Sequence, residues 1–179
     1  MTTQSEEQAE KFARLLARQE ILEVLARYAR GVDRADGELL RSCYHEGAME
    51  EHGSTYSGPA KEYIDGALER LPLMGPLAHY FGSTHMEFDG DVAWVETYVL
   101  TFARLGEGEA STDTLTGGRL QDKFERRGGE WRITHRRMAF DWNRDMDTRE
   151  DWCAGLFDPA HPDFHLGMKG SGDLSYQRD

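Results

Sequence analysis

HYFGSTHMEFDGDVAWVETYVLTFAR, residues 79–104, decides the fold. Polar and apolar residues alternate on either side of Asp89-Gly90-Asp91, which predicts two strands, 79–88 and 92–104, joined by a tight turn. Downstream, a Gly/Glu/Ser loop at 106–113 leads to a third strand at 114–127. Gly128-Gly129 then turns the chain into a fourth at 131–142. Upstream, Pro72 and Pro76 close a helical half. Residues 5–32 read as a helix, with Ile21, Leu22, Leu25, Tyr28, Ala29 and Val32 on one face and Arg27, Arg30 and Arg34 opposite. Asp36 is placed to cap a second helix carrying Leu39, Leu40 and Cys43, and Gly58-Pro59 opens a third through Ile64, Ala67 and Leu68. Residues 47–52 suit a short additional strand. Helices followed by an antiparallel meander make an α+β domain over residues 1–142. Residues 143–179 hold Trp152, Leu156, Phe157, Phe164 and Leu166 and read as an ordered arm packing on the domain or on a neighbouring subunit.

Composition removes several classes. The 179 residues carry 21 basic against 33 acidic side chains, a net charge of −12. That balance disfavours nucleic acid and anionic membrane surfaces, both of which need clustered Lys and Arg. A hydrophobic fraction of 39% supports a core and argues against general disorder. No run approaches the roughly 18 apolar residues of a membrane span, and MTTQSEEQAEK at the N-terminus is unlike a secretory signal. Cys43 and Cys153 form no CxxC, and the sole asparagine, Asn143, lies in no glycosylation sequon. The expectation is a soluble, single-domain, cytoplasmic protein. GxxxxGK[ST], GxGxxG after a strand, GxSxG and HExxH are all missing.

Three residues stand out for chemistry. Asp33 falls at the edge of the apolar helix face, where a carboxylate needs a donor unless it simply caps the helix end. His79 opens the first long strand; supported by a carboxylate, its imidazole can take a proton near neutral pH, and otherwise it is a core-edge histidine bonded to backbone. Regular alternation would put His85 on the same side as His79. Arg136 shares its face with Thr134, Met138 and Phe140, while His135 and Arg137 lie with Trp131 and Ile133. It suits either a leaving group or a surface ion pair. Tyr28, Tyr44, His52, Tyr98 and Arg119 are further polar candidates for substrate binding. The seven histidines show no metal-ligand spacing, so no metal is expected.

Three segments, ARQEILEVLARYARGVDRADGELLRSCYHEGA, AHYFGSTHMEFDGDVAWVETYV and GGRLQDKFERRGGEWRITHRR, together resemble the SnoaL-like branch of the nuclear-transport-factor-2-like superfamily over residues 14–142. The resemblance implies a cone-shaped α+β barrel, a curved antiparallel sheet wrapped around the N-terminal helices, enclosing an apolar pocket in a homodimer or homotrimer. Within that branch, scytalone dehydratase and hexachlorocyclohexane dehydrochlorinase use an Asp-His dyad, which GVDRAD and AHYFGST would place at Asp33 and His79. The dehydrochlorinase's assisting arginine, five residues beyond the last-strand tryptophan, would be Arg136. The pocket positions differ from both relatives: Val32, His52, Phe102, Gly118 and Leu120 replace scytalone dehydratase's polar residues, and Tyr28 replaces the dehydrochlorinase's lysine. The branch also includes lignin γ-formaldehyde lyases. The resemblance therefore implies a cofactor-free lyase for a hydroxylated aromatic molecule, with deformylation of diarylpropanes first and dehydration next. The alternative within the fold is a non-catalytic binding or oxygenase-associated subunit.

Overall fold

The computed structural model describes residues 4–106, 108–148 and 150–177; the side chains of Glu109 and Cys153 lie outside the described residues. Helix α1 spans Gln4–Asp33, with Glu6 and Glu7 in its first turn and Arg30 in its last, charges that complement the helix dipole. Its buried stripe is Ala17, Ile21, Val24, Leu25, Tyr28 and Gly31. Leu22, expected on that stripe, is exposed, because Val24 lies closer to the Ile21–Leu25–Tyr28 line at 100° per residue. Helix α2, Gly37–Ser42, is capped as expected by Asp36, which accepts from the Leu39 N–H at 3.1 Å. At Gly31 an added Cβ would meet Leu40 Cγ at 2.9 Å, so glycine is what lets α2 cross α1 so closely. Helix α3, Ala60–Arg70, follows Pro59.

The strands are β1 (Tyr44–Glu51), β2 (Ser57–Pro59), β3 (Leu77–Asp89), β4 (Val92–Leu105), β5 (Thr112–Arg127) and β6 (Glu130–Asp147). They form one six-stranded sheet in the order β2-β1-β6-β5-β4-β3. The meander β3–β6 is antiparallel as expected, whereas β1 lies parallel to β6. The sheet curves around α1 without closing into a barrel, and the core of Ile21, Val24, Val95, Phe124 and Ile133 sits between them. Irregularities bend the strands and reset their alternation: one in β3 between Phe81 and Thr84, one where Lys123 pairs with His135 but Phe124 with Ile133, and one at Gly117/Gly118. No described helix is long and apolar enough to cross a membrane.

The C-terminal segment returns to the end of α1. The Gly170 N–H donates to Arg34 O at 2.7 Å, the Tyr176 hydroxyl to Asp36 Oδ2 at 2.7 Å, and Arg34 pairs with Asp173 at 3.1 Å. Backbone N–H donation from Met168, joined by Ser175, holds the Asp173 carboxyl well below the usual range.

Candidate active site

The last residue of α1 meets the start of β3. Asp33 Oδ2 accepts the backbone N–H of His79 at 3.0 Å, and Asp33 Oδ1 lies 2.6 Å from His79 Nδ1. The first bond fixes the carboxylate to the strand, and the second orients the ring. With Nδ1–H donating to the carboxylate, Nε2 carries the lone pair. Both side chains are largely buried, at 14% and 16% exposure, which strengthens the interaction relative to water.

His79 lines a cavity of about 160 Å³ on the concave face of the sheet. Val99, Ala103, Leu120, Met138 and Phe140 make its apolar wall, while Thr101, Thr114 and Thr116 supply hydroxyls. Asn143 Nδ2 donates to the Thr114 and Thr116 oxygens at 2.7 and 2.9 Å, which leaves their O–H groups able to turn inward. Tyr28 and His52 complete the polar part of the lining. Burial, then the Glu50 carboxylate, pushes the Tyr28 hydroxyl up to about 12, so at neutral pH it is a donor and not a base.

Behind this wall lies a buried charged network. Arg136 is completely buried and bonds Asp122 bidentately, Nε–Oδ1 at 2.7 Å and Nη2–Oδ2 at 2.6 Å. Its guanidinium stacks on Tyr28 at 4.1 Å. Burial opposes the charge, but Asp122 outweighs it and holds Arg136 well above its ordinary range. Arg136 therefore supports the wall through Tyr28 and does not line the cavity. The expected alternation also fails here: the bulge at Thr134 turns Arg136 to the same buried side as Trp131 and Ile133. The β1–β6 register sets Glu50 beside Arg136; Glu50 too is fully buried and accepts the Tyr44 hydroxyl at 2.8 Å. Tyr44 is thus a partner of Glu50 and does not line the cavity.

Tyr98 and Arg119 are not brought to the site. They oppose each other on β4 and β5, with side chains on the convex face, where Arg119 pairs with Asp141 at 2.8 Å. His85 is also turned outward, 74% exposed against Glu87, because the irregularity between Phe81 and Thr84 reverses the alternation after His79. Glu50, Asp122 and the threonine lining went unnoticed in the sequence: a lone acid or threonine in an alternating strand looks the same whichever face it occupies. Among the described residues, no three His, Cys, Asp or Glu side chains are grouped to hold a metal ion.

A comparison with curated protein sequences finds no match. Among solved structures, hexachlorocyclohexane dehydrochlorinase (LinA) type 2 superposes with a TM-score of 0.72 at 19% identity, over 84% of this chain and 99% of that one. LinA type 3 from Novosphingobium barchaimii LL02 gives 0.65 at 22% identity, over 76% and 94%. A protein provisionally named scytalone dehydratase, from Novosphingobium aromaticivorans, gives 0.69 at 18% identity, over 78% and 93%. At these identities the likeness is one of fold. The profile of the SnoaL-like domain matches residues 13–137, most of the chain, and the protein belongs to that family.

Proposed function

We propose that the protein is a cofactor-independent lyase acting on a hydroxylated aromatic small molecule, working in the cytoplasm as a homodimer or homotrimer. The observation that supports this most is the 2.6 Å Asp33–His79 pair whose imidazole borders a mostly apolar cavity. Two structural relatives are named for eliminations, a dehydrochlorinase and a dehydratase, which is the same reaction class. His79 Nε2 acts as general base; Asp33 orients the ring and stabilises the imidazolium that forms. A cavity of about 160 Å³ suits one benzene-sized ring, since an apolar cavity of about 150 Å³ is known to admit benzene, so a two-ring substrate seats one aryl group inside and leaves the other at the cavity's open mouth.

The favoured substrate class is a 1,2-diarylpropane-1,3-diol. His79 removes the proton of the terminal hydroxyl and the C=O of formaldehyde forms as the adjacent C–C bond breaks. That electron pair becomes the alkene while the benzylic hydroxyl leaves. Diol gives stilbene, formaldehyde and water, with oxidation of the terminal carbon balanced by reduction of the benzylic carbon that loses its hydroxyl, so no external oxidant is needed. Dehydration, in which His79 takes a proton from carbon, is the second course.

Turnover of 1,2-diphenylpropane-1,3-diol, followed by stilbene absorbance and formaldehyde together, tests the assignment. Both signals, lost in His79→Ala, are the expected result. Alkene without formaldehyde means dehydration. Neither signal overturns the diarylpropane reading and favours a binding or oxygenase-associated role for the fold.

A further inference from the structure

We propose that His52 is a catalytic residue of this site, the general acid that protonates the departing hydroxyl oxygen opposite the His79 base; the assignment rests on the lyase reading above. A hydroxide is a poor leaving group in either course, deformylation or dehydration, and must depart as water. In a concerted step His79 is occupied as the base, so a second group supplies the proton. Arg136 is sealed behind the wall, and Tyr28, at about 12, gives up its proton too reluctantly for an acid working near neutral pH.

His52 meets the requirement by position. It lines the same cavity as His79. It follows β1 in a turn that leaves it little freedom: its N–H donates to Tyr56 O at 2.8 Å, and its carbonyl accepts from the Thr55 N–H at 3.2 Å and hydroxyl at 2.6 Å. The next residue, Gly53, has φ +60°, and a Cβ there would stand 2.8 Å from the Phe140 ring, so the turn is closed against the cavity wall. The imidazole stacks on Tyr63 at 5.3 Å between ring centroids and meets Phe140 edge-on at 5.7 Å.

The chemistry behind the ring carries the assignment. His52 Nδ1 lies 3.3 Å from the Tyr63 hydroxyl and 3.5 Å from Glu50 Oε1. Glu50 is fully buried; Tyr44 satisfies Oε2, while Oε1 has no hydrogen-bond partner among the described residues. A buried carboxylate oxygen without a donor is costly, and an imidazolium at His52 completes it. The groups around His52 are thus Glu50 of β1, Tyr63 of α3 and Phe140 of β6, with Tyr28 on the same cavity and Arg136 and Asp122 one layer behind. With Nδ1 turned to the Tyr63 hydroxyl and at ion-pair distance from Glu50, Nε2–H is the proton delivered. As the C–O bond breaks, its electron pair stays on oxygen and takes that proton, releasing water. His79 now holds one proton more and His52 one fewer, and exchange with solvent restores both.

The experiment compares 1,2-diphenylpropane-1,3-diol with 3-chloro-2,3-diphenylpropan-1-ol, in which chloride leaves without a proton. His52→Gln and His52→Asn, each checked for an unchanged melting temperature, are expected to lose about 10²-fold or more in kcat on the diol and to stay within a few-fold of wild type on the chloride. His79→Ala is expected to lose activity on both. Equal losses on the two substrates, or no loss on the diol, overturn the assignment. If the wild type turns over neither compound, the diarylpropane reading fails and the general-acid role falls with it.

Discussion

The two faces of one sheet carry the same chemistry in opposite surroundings. On the convex face, Arg119 pairs with Asp141 at 2.8 Å, Lys123 with Glu125 at 2.6 Å and His85 with Glu87 at 3.2 Å. On the concave side, Arg136 pairs with Asp122 and His79 with Asp33, both at 2.6 Å. Distance does not separate the two sets. Exposure does: Arg136 and Asp122 are wholly buried, whereas His85 and Glu87 are about three-quarters exposed. Water screens the outer pairs until they contribute little, while a buried pair that loses one member leaves a charge with nothing to balance it.

That contrast is open to attack, starting where the effect is largest. His79→Ala and Asp33→Asn should each lower turnover of the diol by about 10²–10⁴-fold, the usual contribution of a general base; full activity in either would remove the dyad from the mechanism. Asp122→Ala should destabilise the fold by about 3–5 kcal/mol in urea unfolding, because Arg136 is left charged and sealed from water. An unfolding midpoint like that of wild type would show that the inner pair is no more consequential than the outer ones. Tyr44→Phe strips Glu50 Oε2 of its donor and should cost about 1–3 kcal/mol by the same measurement. Arg119→Ala, the convex counterpart, should change stability by less than about 1 kcal/mol.

The docked C-terminal segment provides the pH test. Asp173 has a folded pKa below its unfolded value, so between the two the unfolded chain binds more protons and stability rises with pH. Its contribution is present above the unfolded carboxylate value of about 4 and is lost as pH drops through the folded one. Protease sensitivity of the segment should therefore rise on acidification below about pH 4. In Asp173→Asn it should be raised already at neutral pH and change less with acid.

Local rules carried far along the chain. Alternation around Asp89-Gly90-Asp91 located β3 and β4, Gly128-Gly129 marked the turn into β6, and Asp36 was legible as a cap because Asp at that position accepts an orphan N–H of the helix it precedes. The periodicity of α1 put Asp33 at its inner edge, and the family pattern paired it with His79; the structure joins the two at 2.6 Å. What alternation could not supply was the facing of residues beyond a bulge. One extra residue near Thr134 and another between Phe81 and Thr84 reverse the side-chain sense, which turns Arg136 inward beside Trp131 and Ile133 and His85 out to solvent.

The sequence by itself therefore determined the three main helices and the four-strand meander in their order, since helix period, strand period and turn chemistry are all short-range, while the pairing of Asp33 with His79 came from the family resemblance. Only the tertiary structure decided which polar residues share the cavity. Placing Tyr28 and His52 beside His79, Glu50 behind His52, and Tyr98 and Arg119 on the far face depends on the parallel pairing of β1 with β6 and on bulge positions. Both are set by contacts between residues distant in the chain, where burial and not spacing selects the partner.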